Sequence, residues 1–397
     1  MLTVNEAFET VINTAADFGT ELVAIKQAEG RILREKIIAD RPFPPFDRVT
    51  MDGIAIKWSS YAEGKRTFEI EDLQAAGMPQ KTLHGNGCVE VMTGAIVPEN
   101  ADTIIPYEDL VKNETGSFAV VKEIKRNQNI HVRGSDVELG AVLLNEGIRI
   151  GGAETAVLAT VGKDKALVSK QPKIAIVATG DELVEITDQP EQHQLRMSNV
   201  YALYNQFKNI GIEASIHHFK DDKEVLSANF SLLFKEKDAI ICSGGVSAGK
   251  FDYIPQVLNE LGVTILFHKV KQRPGKPFLF GLAENKVPFF GLPGNPVSGF
   301  MCLHRFVFPW LFKSLQFAQE SIITRAVLAS ALKFDKPLTF FVPVKLSISS
   351  QGYLMADPHA TNGSGDFATL TSANAFMELP ENRDFFEAGE VYPVWMY

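Results

Sequence analysis

Three short apolar segments, each followed by a glycine-containing turn, constrain the fold of this chain more than any other feature. They cover residues 174–177, 239–242 and 287–290. Short apolar runs with β-branched members are typical of strands buried on both faces of a parallel sheet. The carboxyl ends of parallel strands meet at one edge of a sheet, and open α/β sheets bind their ligands there. The sequence therefore predicts one active site, lined by the three turns.

The organisation of the chain follows from how helix and strand patterns alternate. Residues 173–320 alternate strand with helix, which predicts an α/β domain with a mostly parallel sheet. Residues 42–138 consist of short strands and turns, which predicts a small β domain. Mixed segments at residues 1–41 and 139–172 flank it, and if they pack together the β domain is an insertion. Residues 321–397 predict a second compact β domain, so this is a multidomain chain.

Local signals predict several individual elements. Thr3 and Glu6 form a capping box, which starts a helix at the next residue. A second short helix is predicted over residues 28–36. The apolar stretch 297–312 contains charged residues and a proline, so it is interpreted as a buried helix and not as a membrane span. Pro343 lies inside a period-two strand pattern and predicts an edge strand.

Composition excludes some classes of function. The net charge of −9 argues against a nucleic-acid-binding surface. The three cysteines, Cys88, Cys242 and Cys302, are far apart in the chain and are interpreted as reduced, buried thiols. The first residues show no export signal. We therefore expect a cytoplasmic protein that has neither nucleic acid nor a membrane as a partner.

A near-match to a nucleotide-binding loop lies after the second apolar segment. Gly244 and Gly249 are followed by Lys250, as in a phosphate-binding loop. The next position of such a loop carries Ser or Thr, whose hydroxyl binds magnesium, but here it is Phe251. This departure favours a chance resemblance in a glycine-rich turn.

Charged residues gather around the predicted site. Lys269, Lys271, Arg273 and Lys276 lie within eight residues, which suits either an oxyanion clamp or a solvated charged loop. Carboxylates occur in the same domain and suit magnesium, which typically uses one or two carboxylates together with substrate oxygens. They are Asp181, Glu182, Asp221, Asp222 and Asp252. One of the pair Asp221–Asp222 alternatively caps the helix that follows.

Several of these motifs together resemble one family. They are Thr50-Met-Asp-Gly-Ile-Ala55, Met92-Thr-Gly-Ala95, Ser-Gly-Gly-Val-Ser-Ala-Gly over 243–249, Arg273-Pro-Gly-Lys-Pro277 and Gly-Leu-Pro-Gly-Asn-Pro-Val-Ser over 291–298. In this order, and over nearly the whole chain, they resemble MoeA, the molybdopterin molybdenumtransferase family related to the E domain of gephyrin. The resemblance implies a split elongated domain, an inserted β domain, a molybdopterin-binding three-layer α/β domain and a C-terminal β-barrel.

The resemblance also implies a reaction. In the last step of molybdenum cofactor synthesis, molybdate enters adenylylated molybdopterin, AMP is released and Mg²⁺ assists. Family members are homodimers, and other proteins of molybdenum cofactor biosynthesis are expected partners. Two alternatives remain open, a non-catalytic dimeric scaffold that binds partner peptides and a molybdopterin adenylyltransferase-like protein.

The family motifs imply the site residues as well. The catalytic contributions of the β domain are Asp52, Thr93 and Asp136. Carboxylates for catalysis and for magnesium are Glu182, Asp221 and Asp252. Molybdate or phosphate is held by Lys271, Arg273 and Lys276. Pterin and nucleotide contacts fall on Asn199, Ser243, Gly244, Gly245, Ser247, Pro293, Gly294, Asn295, Pro296, Ser298 and Ser364.

The sequence departs from the family pattern at three positions. Ile54 replaces a common Tyr, and Arg273 replaces a common Lys, which keeps the charge but changes the donor geometry. Pro343 stands where an Arg is usual. The last departure bears on the part that the C-terminal domain plays in the site.

Overall fold

A computed structural model describes residues 1–246, 252–318, 323–359, 363 and 365–397. The chain forms two compact units. The first comprises Met1–Glu35, Glu146–Gly152 and Lys165–Tyr397, and the second comprises Lys36–Asn145 and Ala153–Asp164. No helix within the described ranges is both long and apolar enough to cross a membrane.

The first unit contains a six-stranded sheet. Its strands are β1 (Ile174–Thr179), β2 (Ala214–Phe219), β3 (Ala239–Ser243), β4 (Thr264–His268), β5 (Leu279–Leu282) and β6 (Pro288–Leu292). They lie in the order β2-β1-β3-β6-β5-β4. The first four in this order are parallel, while β5 and β4 are antiparallel to their neighbours. The mostly parallel sheet predicted from the alternating pattern is therefore confirmed.

Helices cover both faces of this sheet. They are α1 (Ser198–Asn209), α2 (Lys223–Glu236), α3 (Ile254–Glu260), α4 (Pro296–Cys302), a π-helical segment (Leu303–Val307) and α5 (Phe308–Ser314). One face packs with α1 and with the helix running from α4 to α5 through Phe207 and Trp310. The other packs with α2 and α3 through Phe230 and Val257. Strand β1 sends Ile176 to the first face and Val177 to the second, which gives three layers. The predicted buried helix over residues 297–312 is thus confirmed.

The C-terminal part of the first unit is a closed five-stranded barrel. Its strands are β7 (Arg325–Leu328), β8 (Thr339–Ile348), β9 (Leu354–Pro358), β10 (Ala375–Leu379) and β11 (Val391–Met396). Each pairs with two neighbours, in the ring β8-β9-β7-β11-β10-β8. The interior is filled by apolar side chains such as Val342, Val344 and Met377.

The edge strand predicted from Pro343 is wrong, because β8 pairs on both sides. Pro343 lies opposite Phe376 of β10. On its other side it lies just beyond the end of the ladder with β9, where its carbonyl accepts a hydrogen bond from the His359 N–H at 2.9 Å. Because proline has no N–H, Pro343 cannot donate a hydrogen bond back to β9 at this end of the ladder. The loss of one donor at the end of a ladder is small, so the barrel accommodates the proline.

The start of the chain confirms one predicted helix and contradicts another. A helix covers Val4–Ile12, and its capping box between Thr3 and Glu6 is formed. The helix predicted over residues 28–36 is wrong, since a 3₁₀ turn covers Ile25–Gln27 and Leu33 forms a β-bridge with Val168. The bridge partner is more than a hundred residues away, so distant backbone pairing overrides the local helical pattern.

The remaining elements of the first unit are short. They are the strands Thr20–Ala24, Lys165–Ser169, Leu183–Val184, Leu195–Arg196, Gln272–Arg273, Leu332–Lys333 and Phe385–Phe386, and the helix Phe367–Ser372. Leu183–Val184 and Leu195–Arg196 pair in parallel as a two-stranded ribbon. Gln272–Arg273 pairs in parallel with the start of β8.

The second unit is rich in short strands, as predicted. They are Ile37–Ile38, Arg48–Val49, Gly53–Ile56, Thr67–Phe68, Ile70–Gln74, Cys88–Val91, Thr103–Pro106, Leu110–Lys112, Phe118–Val120, Ile130–His131 and Val142–Leu144. Its helical parts are Trp58–Ala62, the 3₁₀ turn Tyr107–Asp109 and nearly all of Gly152–Thr160. The largest sheet has four strands with Gly53–Ile56 in an inner position, and that strand is fully buried.

Candidate active site

The three glycine turns of the first unit open into one pocket with a volume of about 690 Å³. It lies at the carboxyl ends of β1, β3 and β6, as the sequence predicts. The predicted site residues that line it are Glu182, Asn199, Asp221, Ser243, Gly244, Gly245, Asp252, Pro293, Gly294, Asn295 and Pro296. Gly365 of the C-terminal part also contributes to its wall.

Other predicted residues lie elsewhere or outside the described ranges. Lys271, Arg273, Lys276 and Ser298 belong to the same unit, but they are not in the lining of this pocket. Lys276 precedes Pro277, which does line it. Ser247 and Ser364 lie outside the described residues.

Asn199 connects two of the three turns. Its side-chain amide donates to the Ser243 hydroxyl at 3.1 Å and to the Gly294 carbonyl at 2.7 Å. Asn199 is in the first turn of α1, where the helix axis points its amino end at the pocket. One side chain therefore fixes the spacing between the end of β3 and the turn after β6.

Two helices begin at the pocket. The α1 residues Ser198 and Val200 line it, and Met197, which precedes α1, provides no capping side chain. Pro296 starts α4 and lines the pocket as well. The first N–H groups of a helix have no partner within the helix and carry partial positive charge. The pocket is therefore suited to hold the anionic groups of a ligand.

The turn after β3 requires glycine for steric reasons. Gly244 has a φ of +103°, and a Cβ atom there would lie 2.9 Å from the main-chain oxygen of Thr179. Gly245 has a φ of +66°, and its Cβ would lie 2.4 Å from Cδ1 of Ile254. Backbone therefore approaches backbone closely at this turn, and the Gly244 N–H donates to the Leu292 carbonyl at 3.1 Å.

We expect Gly244→Ala to destabilise the protein by about 2–3 kcal/mol, because it adds strain at a positive φ to a close contact. A matched control is Gly352→Ala, at a position with φ +85° and no atom within 4 Å of the added Cβ. That change carries backbone strain alone and is expected to cost about 1 kcal/mol. Urea unfolding of both variants measures the difference, and equal losses would contradict the close approach.

The structure distinguishes between Asp221 and Asp222. The Asp222 side chain accepts a hydrogen bond from the Val225 N–H at 2.9 Å and caps α2. Asp221 lines the pocket instead, and its N–H donates to the Asp181 carboxylate at 3.2 Å. Capping therefore occupies the second residue of the pair and leaves the first for the site.

Burial and the negative charges around it raise the pKa of Asp221 to about 6. The charges are those of Asp181, Glu182 and Asp252, and a smaller opposing effect comes from His218. Like charges at this spacing disfavour ionisation of the carboxyl group. A cation in the pocket would relieve this repulsion.

The carboxylates of the pocket can bind magnesium only if a bound substrate supplies further oxygen ligands. Within the described ranges, no three His, Cys, Asp or Glu side chains are close enough to one another to hold a metal ion. Magnesium commonly binds one or two carboxylates and completes its shell with water and substrate phosphate oxygens. The crowded but incomplete set around Asp221 matches that mode.

The predicted cationic segment is fixed by the barrel. Gln272–Arg273 pairs with Thr339 and Phe340 of β8. The Arg273 guanidinium lies 6.0 Å from the centre of the Phe334 ring, at the outer limit of a cation–π contact. Arg273 and Lys276 are exposed, so both have access to an anion in solution.

The second unit contains the other three predicted residues. The Asp52 carboxylate accepts hydrogen bonds from the Thr93 N–H at 2.6 Å and the Thr93 hydroxyl at 2.7 Å. These bonds lower the pKa of Asp52 and keep it ionised. Asp136 is 2.7 Å from Nε2 of His131. The family motifs assign Asp52, Thr93 and Asp136 to the same β domain, and the sequence gave no signal for His131.

Several pocket-lining residues are not among the predicted site residues, and three of them are polar: Thr179, Arg196 and Ser198. Thr179 ends β1, and its buried hydroxyl has no hydrogen-bond partner among the described residues. Arg196 ends the ribbon two residues before α1, and Ser198 is the first residue of that helix. The sequence signal for Arg196 and Ser198 is that polar residues stand immediately before a predicted helix.

Comparison with known proteins identifies the family. The family described as "MoeA N-terminal region (domain I and II)" matches residues 2–162, and "Probable molybdopterin binding domain" matches residues 175–313. "MoeA C-terminal region (domain IV)" matches residues 325–397. The chain belongs to the MoeA family. Its architecture, with a molybdopterin-binding α/β domain and a C-terminal barrel, is that of the family.

Relatives of this family match along the whole chain. A molybdopterin molybdenumtransferase from Synechocystis is 39% identical over 401 residues, which covers 100% of both proteins. One from Staphylococcus aureus is 31% identical and covers 98% of this chain and 94% of the relative. Two crystal structures of a MoeA protein from Pyrococcus horikoshii superpose with TM-scores of 0.83 and 0.84, at 30% and 25% identity, over 99–100% of each chain. This MoeA-family chain is therefore a transferase of molybdenum cofactor biosynthesis.

Proposed function

We propose that this MoeA-family enzyme inserts molybdate into adenylylated molybdopterin and releases AMP, with magnesium assisting. The observation that carries the proposal is the pocket itself, which combines three glycine turns with the carboxylates Glu182, Asp221 and Asp252. Amides and helix N-termini suit a phosphoanhydride, and carboxylates suit the cation that accompanies it.

The residues of the chain divide the work by chemistry. The turns at residues 243–245 and 293–295 contact the anionic and pterin groups of the substrate and hold them at the sheet edge. Asn199 keeps these two turns at a fixed distance. The cations of Lys271, Arg273 and Lys276 bind molybdate, the incoming substrate, through charge-assisted hydrogen bonds. Positioning of two reactants in this way accounts for much of the rate enhancement in such transfers.

Magnesium would be held by one or two carboxylates of the set Glu182, Asp221 and Asp252, together with phosphate oxygens of the substrate. When bound, it neutralises phosphate charge and makes the phosphoanhydride easier to cleave. The raised pKa of Asp221 supports this assignment, because a carboxylate crowded by like charges gains most from a divalent cation. Asp52, Thr93 and Asp136 are proposed as the catalytic contribution of the second unit.

The remaining parts of the proposal rest on the family resemblance. The enzyme is proposed to act in the cytoplasm as a homodimer, and to exchange substrate and product with other proteins of the same pathway. The buried, unbridged cysteines Cys88, Cys242 and Cys302 agree with a reducing compartment. The four domains are proposed at residues 1–41 with 139–172, 42–138, 173–320 and 321–397.

Release of AMP tests the proposal directly. The purified enzyme is loaded with adenylylated molybdopterin, molybdate is added with and without Mg²⁺, and free AMP is measured by chromatography. We expect molybdate-dependent release from the wild type. Binding of the pterin without any release would favour the non-catalytic scaffold, and formation of the adenylylated compound from ATP would favour the adenylyltransferase.

Two variants extend this test to the proposed residues. Asp52→Ala and Lys276→Ala are each expected to reduce molybdate-dependent AMP release by about 100-fold, because each removes a charged group that is proposed to act in the reaction. Both side chains are exposed, so circular dichroism and the melting temperature are expected to stay near those of the wild type. Full activity of both variants would overturn their assignment to the site.

A further inference from the structure

One basic side chain, Arg196, lies in the lining of the pocket that also contains the carboxylates. Among the described residues that line the pocket, Arg196 is the only Lys or Arg. The predicted cations Lys271, Arg273 and Lys276 are not in that lining. We infer that Arg196 binds a phosphate of the substrate and discriminates in favour of its adenylylated form. This inference rests on the proposed function, because it takes the phosphoanhydride as the ligand.

The backbone around Arg196 is fixed by the two-stranded ribbon. The Leu195 N–H donates to the Glu182 carbonyl at 2.8 Å, and the Met197 N–H donates to the Val184 carbonyl at 3.0 Å. These two hydrogen bonds fix the backbone of the residues immediately before and immediately after Arg196. The arginine is therefore held beside the strand that follows Glu182, one of the proposed magnesium ligands.

The side chain is oriented but not neutralised. Its Nε donates to the Asp188 carbonyl at 3.1 Å, which anchors one edge of the guanidinium. No ion pair joins Arg196 to a carboxylate in the part of the chain that the structure describes, although three carboxylates line the same pocket. The terminal NH₂ groups form a planar pair of donors, which matches the geometry of a phosphate.

The start of the neighbouring helix α1 adds to the positive electrostatic potential at Arg196. Arg196 lies two residues before α1, a helix of 12 residues whose start lines the pocket. The helix N-terminus and the guanidinium both favour negative charge. In a chain with a net charge of −9, an unneutralised arginine at a helix start is a local anion site.

The position of Arg196 in the pocket, with Arg273 and Lys276 outside its lining, distinguishes two anion sites. The sequence alone assigns molybdate and phosphate to one cationic segment. The exposed segment around Arg273 and Lys276 is left to bind molybdate, and Arg196 binds the phosphate inside the pocket. Substrate without its adenylyl group has fewer phosphate oxygens to offer, so loss of the arginine should weaken binding of the adenylylated form selectively.

Binding of AMP and of adenosine to the full chain tests the inference. Isothermal titration with Mg²⁺ present is performed on the wild type, on Arg196→Gln and on Arg196→Lys. We expect Arg196→Gln to weaken AMP binding by about 10–100-fold, the usual contribution of a charge-assisted hydrogen bond, and to leave adenosine binding unchanged. Arg196→Lys should recover part of the affinity, because it keeps the charge but not the paired donors.

Arg325→Gln is the matched control, since it removes an exposed arginine of the same unit that does not line the pocket. Its AMP affinity is expected to equal that of the wild type. Wild-type binding of AMP with no change in Arg196→Gln would overturn the inference and leave the proposed function standing. Failure of the wild type to bind AMP would instead overturn the adenylylated substrate, and the inference with it. In the insertion assay, the loss in Arg196→Gln is expected in KM more than in kcat.

Discussion

Asp221→Asn is expected to remove nearly all molybdate insertion and yet to make the metal-free protein more stable. The activity falls by about 100-fold or more, because the variant loses a proposed ligand of magnesium beside the phosphoanhydride. The stability rises because the ionised carboxyl group is partly buried and is also repelled by Asp181, Glu182 and Asp252. Asp221 therefore supports activity and at the same time lowers the stability of the folded protein, as is common for charged residues in active sites.

The pH dependence follows from the sign of the pKa shift. The pKa of Asp221 is about 6 in the folded protein and 3.8 in the reference state, so the folded protein holds this proton more tightly. The wild type is therefore expected to lose stability as the pH rises from about 4 to about 6, and to lose no more from this group above that. Asp221 is only half-buried, so screening by solvent reduces the loss to about 1 kcal/mol.

Urea unfolding in EDTA, at a series of pH values, measures this effect. The difference in unfolding free energy between Asp221→Asn and the wild type should grow through this pH window. Asp222→Asn is the matched control: it changes the adjacent residue, which caps α2 and does not line the pocket. A wild type that gains stability relative to Asp221→Asn over the same range would contradict the repulsion.

Glu378→Leu is expected to destabilise the protein by about 3–5 kcal/mol, because it leaves a buried arginine without its counter-charge. Arg305 is 4% exposed, and its Nε donates to the Glu378 carboxylate at 2.9 Å. The same carboxylate oxygen accepts a hydrogen bond from Trp395 Nε1 at 2.8 Å. The guanidinium also lies 4.5 Å from the rings of Phe8 and Trp395. The N-terminal helix, the π-helical segment and the barrel therefore meet at this ion pair.

A second substitution separates the charge from the packing. The double variant Arg305→Met/Glu378→Leu removes both charges and is expected to recover most of the lost stability, as buried ion pairs replaced by apolar side chains often do. Glu260→Gln is a surface control, since it breaks the exposed pair with Lys223 and should cost less than about 1 kcal/mol. Chemical unfolding of the variants measures these differences, and a loss below 1 kcal/mol in Glu378→Leu would refute the assigned role of the pair.

The strands, turns and family of this protein follow from its sequence because the signals are local. The apolar segments before Ala178, Ser243 and Gly291 are each contiguous, and buried strands need nothing more than such a run and a turn. The common edge follows from a general rule of parallel sheets. The capping box at Thr3 is equally local, since its two partners are three residues apart.

Other features depend on residues that are distant in sequence, and only the tertiary structure decided them. Residues 28–36 carry a helical pattern, but Leu33 pairs with Val168 and the segment is not helical. Pro343 predicts an edge, but the closing pair between β8 and β10 removes that edge. Backbone pairing across a large sequence separation overrides local preference, because it satisfies buried hydrogen bonds that no local pattern can specify.

The candidate site shows the same division. The sequence alone determined that carboxylates, cations and glycine turns occur in one α/β domain, since residue type and strand position are written along the chain. The folded chain decided that Asp221 and not Asp222 enters the pocket, and that Arg196 lines it while Arg273 and Lys276 lie outside the lining. The physical reason is that a pocket is an arrangement of side chains in space, fixed by the packing of segments that are far apart in the chain.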